Sequence, residues 1–181
     1  IAHIYCEDVF GIVGENFTFP VKIDQKRVET TWKKDKNKVA SWEGQDKPIY
    51  FGHFQNRGVL MENGALTIVN LEKDDAGTYE LEYWDSVMDH SLKFMLIVLD
   101  SLPEPKISCS TSGGKLVLYC MADFQKPLNY IWKLSNNPHS YQNQELSIPL
   151  ENVGPTMKAT CIIKFSQTER SSEISLNQCL P

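Results

Sequence analysis

The sequence has no apolar run approaching the length of a membrane-spanning helix, which is about 18 residues. Its longest candidate is Phe94-Met-Leu-Ile-Val-Leu99. It also lacks any sustained helical period, and with it the amphipathic helices of an α or α/β fold. Basic charge is not in excess. Lys and Arg number 18 against 23 Asp and Glu, a net −5, so no field recruits nucleic acid. Histidine is scarce: His3, His53, His90 and His139 are scattered, and none stands at a catalytic spacing from a serine, cysteine or carboxylate. His90 and Ser91 are adjacent but would alternate to opposite faces of a strand. There is no Cys-x-x-Cys and no His-x-x-x-His, so no zinc-ligand pattern appears. These gaps argue against an enzyme, a metal or other cofactor, a small-molecule substrate and a nucleic-acid partner.

Cysteine is nearly absent from the first half, where Cys6 stands alone, and crowded in the second, with Cys109, Cys120, Cys161 and Cys179. That clustering fits an oxidising compartment and an extracellular protein. No signal peptide opens the sequence, and it stops two residues after Cys179. The expectation is a mature ectodomain at the cell surface, tied to the membrane only through an anchor outside this sequence. Cys6 reads either as a free or capped thiol or as a bridge to another chain.

What is present is a series of short strands separated by turn residues. In Gly14-Glu-Asn-Phe17-Thr-Phe19-Pro-Val21, alternation puts Phe17, Phe19 and Val21 on one strand face. Eleven residues after Val21 comes Trp32, at the spacing of a buried strand C tryptophan. Leu66-Thr-Ile68-Val-Asn-Leu71 alternates again and leads into Asp75-Ala-Gly77-Thr-Tyr79, a tyrosine corner. Together these residues describe an immunoglobulin-type sandwich in which Val21 and Leu81 hold the positions of the inter-sheet disulfide. A bridge across that 60-residue loop would add about 4 kcal/mol on the loop-entropy account. Packing from Leu92, Phe94, Leu96 and Val98 is expected to offset its loss. The gap leaves room for C′ and C″ strands, as in a variable-type domain.

Pro103 and Pro105 stiffen a boundary, which divides the chain into a variable-type, ligand-binding domain over 1–100 and a membrane-proximal domain over 101–181. In the second, Cys120 and Trp132 repeat the B-to-C spacing, and Cys161 follows 41 residues after Cys120. That gap reads as too short for C′ and C″ hairpins, hence a smaller, constant-type (C2-like) sandwich. Four cysteines admit three pairings, and the sequence leaves all three open. The pairing expected here joins Cys109 to Cys179, near the two ends of the domain, and Cys120 to Cys161. Ala159 stands where a corner tyrosine would be. The fold class is therefore all-β, two tandem immunoglobulin-like sandwiches, the first without an inter-sheet disulfide and the second with two.

Four segments carry a resemblance: Trp32-Lys33-Lys34-Asp-Lys36-Asn-Lys38-Val39-Ala40, Leu66-Thr-Ile-Val-Asn-Leu71, Tyr79-Glu80-Leu-Glu82, and Leu96-Ile-Val-Leu99-Asp-Ser-Leu102-Pro-Glu-Pro105. Through them the chain resembles the signalling lymphocyte activation molecule family and its T-cell adhesion branch over nearly its whole length. The resemblance implies a cell-surface ligand, active in T-cell costimulation, whose first domain binds an adhesion receptor of the same family on T cells or natural killer cells. It places the contact on the G-F-C-C′-C″ face and implies a lipid or transmembrane anchor beyond Pro181.

Alternation then nominates residues on that face. With Tyr79, Leu81 and Trp32 inward, Glu80, Glu82 and Lys33 point out. Lys34, Lys36 and Lys38 lie around the C–C′ turn, with Glu43, Asp46 and Lys47 beyond, and Glu29 precedes strand C. Trp84 is the expected aromatic anchor, Tyr83 should face in, and Trp42 fits either. Charge reversal at Lys34 or Glu80 should weaken binding without lowering the melting temperature. Asn16-Phe-Thr18 is an N-glycosylation sequon, and Asn177-Gln-Cys179 a weak one because its cysteine is a candidate for bridging. A homophilic receptor of the same family, or a viral mimic of one, is the alternative reading.

Overall fold

The computed structural model describes residues 6–21, 23, 29–44, 47–84 and 88–181. The chain divides into two compact units, Ile1–Ser101 and Leu102–Pro181. Among the described residues no helix is long and apolar enough to cross a membrane.

The first unit contains β1 (Cys6–Ile12), β2 (Phe17–Thr18), β3 (Thr30–Lys34), β4 (Asn37–Trp42), β5 (Ile49–Tyr50), β6 (Gly58–Leu60), β7 (Leu66–Ile68), β8 (Gly77–Trp84) and β9 (Asp89–Leu99). A six-stranded sheet runs in the order β1-β9-β8-β3-β4-β5, and a three-stranded sheet in the order β2-β7-β6. The larger sheet has the A-G-F-C-C′-C″ arrangement of a variable-type sandwich. All its neighbouring strands are antiparallel except β1 and β9, which run parallel.

The core fills the place a disulfide would occupy. Phe19, Trp32, Tyr79, Leu81 and Leu96 are almost wholly buried, with Val21 at the margin. The Phe19 ring lies 4.8 Å from Trp32, 4.8 Å from Tyr79 and 5.4 Å from Phe94. Three such aromatic pairs contribute about 1.5–4.5 kcal/mol beyond the area they bury. The upper end of that range reaches about 4 kcal/mol, the contribution of the missing bridge. The Trp32 indole N–H donates to the Gly64 carbonyl at 2.9 Å, which lets a polar atom sit in this core without penalty.

The strand expected over Gly14–Val21 is mostly not a strand. Only Phe17 and Thr18 join the ladder, opposite Ile68 and Thr67. Pro20 has no N–H to continue it, and the Val21 N–H folds back onto the Phe19 carbonyl at 2.8 Å. Phe19 and Val21 still reach the core from this irregular segment.

The second unit contains β10 (Lys106–Ser112), β11 (Lys115–Met121), β12 (Asn129–Leu134), β13 (Ser140–Tyr141), β14 (Glu145–Pro149), β15 (Lys158–Phe165) and β16 (Thr168–Ser175). Its sheets are β10-β11-β14 and β13-β12-β15-β16. Cys120 on β11 bridges Cys161 on β15 between the sheets, and Cys109 on β10 bridges Cys179 in the 3₁₀ turn Leu176–Cys179 after β16. The pairing is the one expected. Trp132 is buried beside the inter-sheet bridge and donates to the Gln144 carbonyl at 3.1 Å. One expectation is corrected: a short C′-type strand does fit, because β13 needs only Ser140 and Tyr141 to pair with β12. Ala159 is buried at the corner position, so this unit is held at that point without a phenol.

Candidate functional site

Two local devices set the large sheet of the first unit. Asp35 and Lys36 both take positive φ, 47° and 74°, making the two-residue turn that matches strand twist in the β3–β4 hairpin. The Asp35 N–H donates to the Thr78 carbonyl at 2.8 Å, and its carboxylate accepts from the Thr78 N–H at 3.0 Å. Gly77 makes this possible, since a Cβ there would lie 2.8 Å from Asp35 Oδ2.

The second device is the tyrosine corner. The Tyr79 hydroxyl donates to the Asp75 carbonyl at 2.6 Å. Burial foremost, then the Asp75 and Asp35 carboxylates, pushes the phenol far above its ordinary range against the opposing Arg57 charge, so it stays a donor. Arg57 Nη1 donates to Asp75 Oδ1 at 3.0 Å, Nη2 donates to Oδ2, and Nη2 also donates to the Asn70 carbonyl at 2.9 Å. The Glu72 N–H adds a bond to Asp75 Oδ2 at 2.7 Å. Burial works to raise the Asp75 carboxyl, but the Arg57 hydrogen bonds, the Glu72 N–H and the charges of Arg57 and Lys34 outweigh it, leaving it below its ordinary value. The Asp75 hydrogen bond in turn raises Arg57 against desolvation, helped by the charges of Asp75 and Glu72.

With these fixed, the outer face of the large sheet is ordered in columns. On β8, Glu80 lies in register with Lys33 of β3 on one side and Lys93 of β9 on the other. Glu82 lies between Thr31 and Ser91. Lys33 Nζ reaches diagonally to Glu82 Oε1 at 3.2 Å, and the Ser91 hydroxyl donates to Glu80 Oε1 at 3.0 Å. Lys38 of β4 stands opposite Lys33. An acidic column is thus flanked by lysines on both sides. Trp84 ends the column at 44% exposure, opposite Asp89, Met95 is an exposed apolar side chain on neighbouring β9, and Ile49 is another on the edge strand β5.

The nominated residues divide into groups. Lys33, Lys38, Glu80, Glu82 and Trp84 share the face. Lys36 sits at the hairpin tip, and Glu43 and Lys47 are exposed in the β4–β5 connection. Glu29 is exposed, and its carbonyl accepts from the Trp84 N–H at 3.2 Å. Asp46 lies outside the described residues. Lys34 is different. It pairs with inward-facing Tyr79 and donates to the Asp74 carbonyl, so it belongs to the corner rather than to the outer face. Reversing its charge would disturb the Asp75 site, contrary to the expectation of an unchanged melting temperature.

Lys93, Ser91 and Met95 escaped the sequence reading. Their signal was available, because placing Leu92, Phe94 and Leu96 inward leaves the alternate residues of β9 outside. Tyr83 is partly buried against the core and stacks on His90 at 4.6 Å, and Trp42 also packs partly against the core. Cys6 is exposed, unbridged within this chain, and in register with Lys93.

Among the described residues no group of His, Cys, Asp and Glu could hold a metal ion. Two clefts in the second unit, about 680 and 250 Å³, are lined by none of those residue types. Two sandwiches, the first without an internal bridge and presenting a charged open sheet, the second with two bridges, define a tandem immunoglobulin-like module.

No family model matches the chain. Human lymphocyte function-associated antigen 3 is 31% identical over 183 aligned positions, spanning 98% of this chain and 72% of that protein. The crystal structure of the CD2-binding domain of CD58 (lymphocyte function-associated antigen 3) is 26% identical with a TM-score of 0.52, covering 96% of this chain and 98% of that one. A murine coronavirus receptor complexed with the viral receptor-binding domain matches at 17% identity, TM-score 0.51, over 92% of this chain and 94% of that one, a likeness of fold alone. The chain belongs to the lymphocyte function-associated antigen 3 family. It is an extracellular adhesion ligand of the cell surface, of the immunoglobulin fold, and not an enzyme.

Proposed function

We propose that the first unit docks a CD2-type immunoglobulin receptor on T cells or natural killer cells through the outer face of its large sheet. The observation that carries this reading is the β8 acidic column held between the lysines of β3 and β9. Such a face alternates charge at strand spacing beside the exposed Trp84 and Met95, so it recognises a partner whose own columns alternate in the opposite order. Charge complementarity of this kind contributes more to specificity and association rate than to affinity. The Lys33–Glu82 pair is part of this design. It keeps both side chains extended over the sheet before the partner arrives, so less ordering remains to be done on binding.

The resulting contact is weak, fast and salt-sensitive, with a dissociation constant on the order of micromolar. Many such contacts across a cell junction then act together. Asn16 carries an N-linked glycan in this reading. Its sequon threonine, Thr18, lies on β2 of the other sheet, so the sugar leaves the docking face open.

The test is surface plasmon resonance against CD2-type receptors at two salt concentrations, with wild type and Glu80→Lys. Binding that weakens with salt and is lost in the variant, at an unchanged melting temperature, is the expected result. Equal binding by both proteins removes the face from the account. A second reading, self-association, is favoured by the presence of both charge signs on one surface. Sedimentation equilibrium decides it, since a ligand for a different receptor stays monomeric.

A further inference from the structure

The other sheet of the first unit has an outward face of different character. In register, Thr18 of β2 stands opposite Thr67 of β7, and Thr67 opposite Val59 of β6. Val59, Met61 and Val69 are 47%, 41% and 37% exposed. No residue within the three strands is charged. A neutral, partly apolar strip on an open sheet with short edges calls for a cover.

The sequon asparagine lies beside that strip. Phe17 and Ile68 form the last rung of the ladder, and Asn16 and Val69 are the residues next beyond it. The Asn16 side-chain oxygen accepts from the Asn70 N–H at 3.0 Å. That bond holds the amide by its oxygen, and the nitrogen is the atom a sugar takes. The Thr18 hydroxyl is bonded to Thr67 at 2.8 Å, in the middle of the same face. Asn16, Thr18, Thr67, Val69 and Val59 thus form one continuous outward surface.

We propose that the first sugars of an N-linked glycan on Asn16 lie over Val69, Val59 and Met61, using this sheet face as their docking surface. N-acetylglucosamine suits it chemically. Its ring C–H face and acetyl methyl pack on branched apolar side chains, while its hydroxyls keep the outer surface in water. The sugar also shields β2, an edge strand of its sheet, from pairing with another chain. The inference rests on the reading of Asn16 as glycosylated and adds where the glycan sits.

The experiment uses the full chain secreted from mammalian cells with labelled valine and methionine methyls. Glycopeptide mass spectrometry measures occupancy at Asn16, and nuclear Overhauser contacts from the acetyl methyl protons locate the sugar. Contacts to Val69 and to Val59 or Met61, retained on trimming to one N-acetylglucosamine and lost on full enzymatic removal, are expected. An occupied Asn16 without such contacts overturns the docking while leaving glycosylation intact. So does an occupied Asn16 whose valine methyls instead show concentration-dependent contacts to a second copy. An unoccupied Asn16 refutes the glycan itself.

Discussion

Asp75→Asn separates a buried ion pair from a surface one. Asp75 is buried and receives two Arg57 nitrogens and the Glu72 N–H, while its carbonyl takes the Tyr79 hydroxyl. Asparagine keeps one acceptor oxygen but removes the buried carboxylate charge, leaving Arg57 only the exposed Glu72 carboxylate at 3.8 Å in a site where Arg57 Nε already has no partner. Removing one member of a buried pair costs about 3 kcal/mol, against about 0.5 kcal/mol for an exposed pair. At 1.4 kcal/mol per tenfold, 3 kcal/mol speeds globally exchanging amides about a hundredfold. The sign with pH follows from the depressed carboxyl. Its stabilisation is full above the ordinary value of 3.8 and is lost as pH falls through the lower folded value. The gap between wild type and variant should therefore close with acidification through that window. Native-state hydrogen exchange of β8 amides measures it, with β11 amides as the internal control. Acceleration below about tenfold on β8, which the exposed-pair figure would give, refutes the reasoning. So does a gap that stays constant into strong acid.

Reductant should act on one unit only. Opening Cys120–Cys161 releases a constraint over 41 residues, worth about 4 kcal/mol, while the first unit has no bridge to lose. Two calorimetric transitions that both fall with dithiothreitol would contradict this. Lys34→Ala should cost about 0.5 kcal/mol through the corner and leave receptor affinity unchanged, as read by melting and plasmon resonance. Loss of affinity at constant stability would return Lys34 to the docking face. Iodoacetamide on the native, unreduced chain should label Cys6 alone, and intact-mass detection of further adducts would contradict the bridges.

The fold was legible wherever one residue type has one job. Trp32 and Tyr79 announce a buried indole and a corner phenol, and the spacing from Cys120 to Trp132 repeats the pattern. Period-2 alternation read β8 correctly because that strand is flanked on both sides and buries Tyr79 and Leu81 on one face while Glu80 and Glu82 stay on the other. It failed where the backbone departs from regular pairing. Pro20 ends a strand that hydrophobicity would continue. An irregularity between Trp32 and Lys33 shifts the β4 register, so that Val39 and Ala40 are both buried. Strands of two residues, such as β5 and β13, have too few side chains to show any period. Lys34 was misplaced for another reason. Its lysine stem is long enough to turn back to Asp74 from the end of the strand, which composition and charge counts do not reveal.

Backbone amide chemical-shift mapping of the labelled chain during titration with a CD2-type receptor tests the docking face most directly. Shifts gathered at Lys33, Glu80, Glu82, Trp84 and Lys93, with Thr18, Val59 and Thr67 unmoved, are the predicted result. A shift pattern centred on the β2-β7-β6 sheet, or on the second unit, would contradict the account.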